Sequence, residues 1–201
     1  MSANYAEKSD QQLVRACKRG DEQAARELIS RFERPVFSLI YRMVRDRELA
    51  EDLSQEAFVR TFNNLKRYNP SYQFSSWIFK ISHNLTIDHL RKKSLDTISI
   101  HGAPDAVTAT QQDATSLALA SADELPDQEF EAHLLGSEIE QAIAQLRPEY
   151  RTAVILRHVE GRQYEEISEI MDIPLGTVKT YIHRARNELR ELLGHLVADG
   201  E

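Results

Sequence analysis

The chain has 201 residues, 41% apolar and 28% charged, with a net charge of −7. That balance fits a water-soluble globular protein of one or two domains, and no apolar run approaches the ~18 residues of a membrane span. Met1 to Asp10 is polar and lacks the apolar core of a signal peptide, so a cytoplasmic location without membrane contact is expected. A single cysteine, Cys17, excludes an internal disulfide and the common zinc clusters, and its helical apolar surroundings point to packing. With only seven glycines there is no Gly-rich phosphate loop, and neither H-E-x-x-H nor C-x-x-C occurs. No metal, cofactor or catalytic pair is indicated, and the chain is not read as an enzyme.

Ser9 is placed to cap a short helix ending at Gly20, and Asp21 to cap the next, whose apolar side is Ala24, Ala25, Leu28, Ile29 and Phe32. Pro35 is expected to kink or restart that helix before Val36, Phe37, Ile40, Tyr41 and Val44 continue its buried face. After a turn at Arg45-Asp46-Arg47, a helix over Glu48 to Leu65 turns Ala50, Leu53, Ala57, Phe58, Thr61, Phe62 and Leu65 inward. Glu51, Asp52, Gln55, Glu56 and Arg60 form its polar outer face.

Lys66 to Ser76 is a loop carrying Tyr68, Tyr72 and Phe74, with Tyr68 and Tyr72 expected to be exposed. A helix over Trp77 to Lys93 follows, with Trp77 and Phe79 expected in the core and Arg91-Lys92-Lys93 at its end. Aromatic rings beside Lys66, Arg67, Lys80 and Asn84 can stack unpaired bases and hold phosphates. From Asp96 to Glu129 there are seven acidic residues and no Lys or Arg, so the remainder of the chain is neutral overall and its basic clusters act locally. Ser94 to Gln128 shows no sustained period and reads as a linker, with at most a weak helix near Thr115 to Ala122. About 35 flexible residues span roughly 30–35 Å root-mean-square. Stretched, they can join modules on DNA sites one and a half turns apart.

Helical periodicity resumes over Phe130 to Gln145, and Pro148 opens a helix that Gly161 ends. Two short helices then flank a turn at Asp172-Ile173-Pro174. In the second, Val178, Ile182, Ala185, Leu189 and Leu192 recur at offsets 0, 4, 7, 11 and 14, one face of a helix, and Lys179, His183, Arg184, Arg186 and Arg190 lie away from it. A short helix, a turn and a cationic amphipathic helix make a helix-turn-helix whose second helix can enter a DNA major groove.

Two motif sets carry a family resemblance. Asp52-Leu53-Ser54-Gln55-Glu56-Ala57-Phe58, then Phe74 to Asn84 and Asp88-His89-Leu90-Arg91, resemble the promoter-melting domain of bacterial sigma factors. Leu146-Arg147-Pro148-Glu149-Tyr150-Arg151, Tyr164-Glu165-Glu166-Ile167 and Ile173 to Arg186 resemble the domain that binds the upstream element. Two such domains alone resemble the extracytoplasmic-function branch of the sigma-70 family.

The resemblance implies an all-α fold: residues 1–94 as a sigma-2-like helical bundle, 95–129 as a flexible acidic linker, and 130–201 as a sigma-4-like helix-turn-helix domain. It implies an alternative sigma factor that binds the clamp helices of the largest subunit of core RNA polymerase, promoter DNA and an anti-sigma factor. Asp52, Gln55 and Glu56 match the face that docks on polymerase. Tyr68, Tyr72, Phe74 and Asn84 match the region capturing a flipped base of the −10 element, with Arg91, Lys92 and Lys93 on its backbone. Lys179, Thr180, His183, Arg184, Arg186 and Arg190 match the surface that meets the −35 element. Ser54 stands where the family usually has an apolar residue, and Tyr181 where a basic one is frequent. The alternative is a helix-turn-helix regulator that acts without core polymerase.

Overall fold

The structure, a computed structural model, describes the backbone of residues 5–101 and 127–194 and the side chains of 5–93 and 136–194. The described elements are helical: α1 (Asp10–Cys17), α2 (Glu22–Val44), α3 (Arg47–Asn63), α4 (Phe74–His101), α5 (Asp127–Gln145), α6 (Pro148–Val154), α7 (Tyr164–Met171) and α8 (Leu175–Leu192). The weak helix read near Thr115 to Ala122 lies outside the described residues.

Local chemistry fixes most helix starts. Ser9 accepts from the Gln12 amide while the Gln12 side chain accepts from the Ser9 amide, a reciprocal cap on α1. Asp21 accepts from Gln23 and Ala24, and Asp46 from Leu49, capping α2 and α3. Positive-φ residues end segments: Gly20 at +87° after α1, Arg45 at +59° after α2, Gly161 at +67° and Asp172 at +58° before α8.

Two expectations are corrected. Pro35 does not restart its helix: α2 runs unbroken over 23 residues with Pro35 inside. Leu28, Phe32, Val36, Leu39 and Ile40 are buried on both sides of it, and this packing outweighs the hydrogen bond that proline removes. The helix expected to close at Lys93 continues to His101, and α5 begins at Asp127, so helix occupies both ends of the stretch read as linker. The breakers lie further in: the first glycine after α4 begins is Gly102, with Pro104 behind it, and Pro126 immediately precedes α5.

The first module packs α1 to α4 around Leu13, Leu28, Phe32, Val36, Ile40, Leu53, Tyr68, Phe74 and Ile78. A second core is shared. Leu39 and Met43 of α2 and Phe79 of α4 pack with Ile155, Leu156, Ile167, Ile170, Met171, Val178 and Ile182 from the second half of the chain. The two modules, read from sequence as bodies on a tether, are in direct contact in this structure.

Candidate nucleic-acid and polymerase interface

The first surface is the outer side of α3. Ala50, Leu53, Ser54, Ala57 and Thr61 anchor the inner side, leaving Asp52, Gln55 and Glu56 exposed on the outside. Ser54 is buried, but its Oγ donates to the Ala50 carbonyl at 2.6 Å, so the hydroxyl fits the interior without an unmet hydrogen bond. Glu56 is braced by Arg60 at 2.9 Å and Glu51 by Arg47 at 3.0 Å. Val59 is 58% exposed between these charges, three residues beyond Glu56. Its place outside the inward set was the available signal, and the sequence reading passed over it.

The second surface is an open pocket of about 240 Å³ where the end of α3 meets α4, lined by Arg60, Asn64, Arg67, Trp77, Ile81 and Asn84. Trp77, Ile81 and Asn84 recur at helical spacing along α4, which puts indole, aliphatic and amide groups on one side. Asn64 donates its side-chain amide to the Arg60 carbonyl at 2.9 Å. The expectation for the loop aromatics needs correcting. Tyr68 is only 4% exposed: its ring packs on Phe74 and Trp77, its hydroxyl donates to the Tyr72 carbonyl at 2.6 Å, and Lys18 lies over its face. Phe74 is 1% exposed and meets Phe32 edge to face. Both rings hold the loop onto the bundle and are closed to a stacking base. Tyr72 is exposed but is not among the pocket-lining residues. Asn84 alone of the predicted four lines the pocket. Arg60 had been read only as part of the polar outer face and Ile81 only as inward-facing, and Asn64 had been given no role. Lys80, considered for phosphate, is paired with Asp172 at 3.0 Å. Arg91, Lys92 and Lys93 are exposed further along α4.

The third surface is the helix-turn-helix. Gln163 and Glu166 cap α7 reciprocally. The turn is held by the Ser168 hydroxyl on the Ile173 carbonyl and by the Thr177 and Val178 amides on the Pro174 carbonyl. Val178, Ile182 and Ala185 of α8 are fully or almost fully buried. At about 100° per residue, Thr180, His183 and Asn187 fall opposite them, with Lys179 and Arg190 beside. Lys179, Thr180, His183, Arg184, Arg186 and Arg190 are all exposed. Two arginines mark the flanks: Arg184 donates to the Tyr150 hydroxyl at 3.2 Å, and Arg186 lies 3.4 Å from His158 Nε2. Burial, then Arg186 and Arg157, push the His158 pKa down, which favours its neutral ring beside those cations. Tyr181 is turned to the interior side, its ring 5.2 Å from that of Tyr150. An aromatic therefore fits where the family often has a cation, because at this register the side chain serves packing.

No group of three or more metal-ligating side chains occurs among the described residues, and no described helix is long and apolar enough to cross a membrane.

Comparison with known proteins places the chain in a family. Residues 28–95 match the model of sigma-70 region 2, and residues 137–189 that of sigma-70, region 4. The chain is 36% identical over 184 residues to the ECF RNA polymerase sigma factor SigW of Bacillus subtilis, covering 91% of this chain and 96% of SigW. It is 32% identical over 195 residues to the RNA polymerase sigma-H factor of Pseudomonas aeruginosa, covering 96% and 98%. Among solved structures, CnrH in complex with the cytosolic domain of CnrY aligns with a TM-score of 0.67 at 19% identity, over 94% of this chain and 99% of that one. The sigma factor RpoE of Bartonella quintana, in complex with the anti-sigma factor NepR, aligns at 0.62 and 22% identity over 84% and 96%. These two show a shared fold. The chain belongs to the sigma-70 family of RNA polymerase sigma factors, in its extracytoplasmic-function branch.

Proposed function

We propose that this sigma factor directs promoter-specific initiation by dividing the work among the three surfaces. The α3 face, with Asp52, Gln55 and Glu56, docks on the clamp helices of core polymerase. The pocket beside Asn84 takes an unstacked base of the −10 element, and Arg91, Lys92 and Lys93 meet the strand's phosphates. In the −35 major groove, Lys179, Thr180 and His183 reach base edges while Arg184, Arg186 and Arg190 bind backbone. The chain supplies binding energy and no bond chemistry. Base capture on a preformed surface offsets the few kcal/mol that unstacking costs.

The observation that carries this reading is the open pocket walled by an indole, two amides and two guanidinium groups, on a module separate from the helix-turn-helix. A regulator acting without polymerase has no use for it. Permanganate footprinting tests the division: Asn84→Ala should bind −35 duplex normally and fail to open the −10 region. Normal opening by that variant would remove the pocket from the mechanism.

Two further parts belong to the same proposal. The factor works in the cytoplasm, and a small anti-sigma protein sequesters it under unstressed conditions. Purification of tagged protein from unstressed cells should bring down a stoichiometric small partner; core polymerase alone would point to control by expression.

A further inference from the structure

Arg184 and Arg186 stand two positions apart on α8, so about 200° separates them around the helix axis. They leave opposite flanks of that helix. On each flank the guanidinium meets an acceptor from the stretch that precedes the helix-turn-helix. The Tyr150 hydroxyl of α6 accepts from Arg184 Nη1 at 3.2 Å. On the other side, His158 Nε2 lies 3.4 Å from Arg186 Nη2. A guanidinium has donors only, so this contact is a hydrogen bond when the His158 ring carries no proton on Nε2. Burial, then Arg186 and Arg157, keep the His158 pKa low and favour that form.

Both anchors stand on firm ground. Tyr150 is buried, its ring lies 5.2 Å from that of Tyr181, and it packs with Leu146, Val154 and Ala185. His158 projects from a π-turn over Ile155–Val159, closed by the Glu160 amide on the Ile155 carbonyl at 3.0 Å. Ile155 and Leu156 of that turn are fully buried. Neither acceptor brings a negative charge. On α3, by contrast, Arg47 and Arg60 are held by Glu51 and Glu56, whose charge offsets theirs. Tyr150 and His158 each occupy one of five guanidinium donors and leave the full charge for another partner.

The major groove gives two flanks a purpose. A helix about 10–12 Å across fills a groove about 12 Å wide, so its flanks face the two phosphate strands. A free arginine must be ordered before it grips a phosphate, and that ordering is subtracted from affinity. We propose that Tyr150 and His158 are positioning residues that preset Arg184 and Arg186 for phosphates on opposite strands of the −35 element. The inference rests on the promoter reading above, which places neither Tyr150 nor His158 on DNA.

Double-mutant cycles on the full chain test it, by titration with a −35 duplex over several salt concentrations. Tyr150→Phe keeps the packed ring and removes the hydroxyl. His158 is exposed, so His158→Leu removes the acceptor without opening the core, and His158→Gln supplies a neutral one in its place. Tyr150→Phe and His158→Leu should each weaken binding about two- to tenfold, the cost of ordering one arginine. His158→Gln should recover most of its loss. The salt slope should hold in these variants and fall by roughly one unit in Arg184→Ala or Arg186→Ala, because only the alanine variants lose a phosphate contact. Tyr150→Phe should add nothing in an Arg184→Ala chain, and His158→Leu nothing in an Arg186→Ala chain. No loss in the parent, or the same loss with and without the partner arginine, would overturn the positioning role and leave the phosphate contacts standing. Full binding by both Arg184→Ala and Arg186→Ala would overturn the backbone assignment on α8, and the positioning role with it.

Discussion

At the scale of single residues, the groups proposed to carry function are those the fold leaves exposed. Tyr68 and Phe74 looked available in the sequence because they sit in a polar loop, yet both are consumed by the core. A one-dimensional pattern cannot show that a loop folds back on its own bundle. Asn84 was legible because it falls outside the apolar period of α4, and its neighbours Asn64 and Ile81 became visible only when two helices met. Lys179→Ala should relax −35 preference at one position, costing about 1–3 kcal/mol there. Arg186→Ala should instead weaken all sequences alike and lower the salt slope by roughly one unit. Binding titrations over several salt concentrations on matched and mismatched duplexes separate the two.

His83 gives a stability prediction at the same scale. It is 8% exposed with Thr152 Oγ1 at 3.4 Å, and burial lowers its pKa to about 4. The unfolded chain protonates this ring below pH ~6.5 while the folded chain does not until about 4, so the unfolded state binds more protons in that window. Stability should therefore fall as pH drops from about 6.5 to 4, by up to roughly 3 kcal/mol from this residue. Urea unfolding of His83→Gln should show a flatter profile than wild type over that range. Equal slopes would mean that the ring is solvated in the folded protein.

At the scale of elements, caps and periodicity were readable and helix ends were less so. Ser9 and Asp21 announced their helices because each side chain is an acceptor matched to free amides, whereas Asp46, read only as part of a turn, caps α3 in the same way. Asp46→Ala should cost about 1 kcal/mol of stability, measured by urea unfolding. The helix restart expected at Pro35 does not occur, because burial on both sides of it outweighs the proline's local cost. α3 shows how an element becomes a surface. Its inner side is built from Ala50, Leu53, Ala57 and the hydroxyl residues Ser54 and Thr61, and its outer side presents Asp52, Gln55, Glu56 and exposed Val59. Charge reversal at Asp52 or Glu56 should abolish competition for core polymerase while the helix content stays unchanged. Unaltered core affinity in a pull-down titration would take the docking face off α3.

At the scale of the whole molecule, the sequence showed two modules and their order but not that they touch. Phe79 was expected in the core, while Leu39 and Met43 lay outside the buried face read for their helix, and periodicity does not say which partner lies inside. Their partner is the helix-turn-helix half of the chain. The family membership and the three exposed surfaces converge on one central claim, that the chain gives core polymerase its promoter choice. Run-off transcription measures this directly: core polymerase over a promoter library, alone, with the wild-type chain, and with Asn84→Ala or Lys179→Ala. Start-specific transcripts should appear only when wild-type chain is added, and should fall sharply with either variant. Binding of −35 duplex without any start-specific transcript would contradict the account.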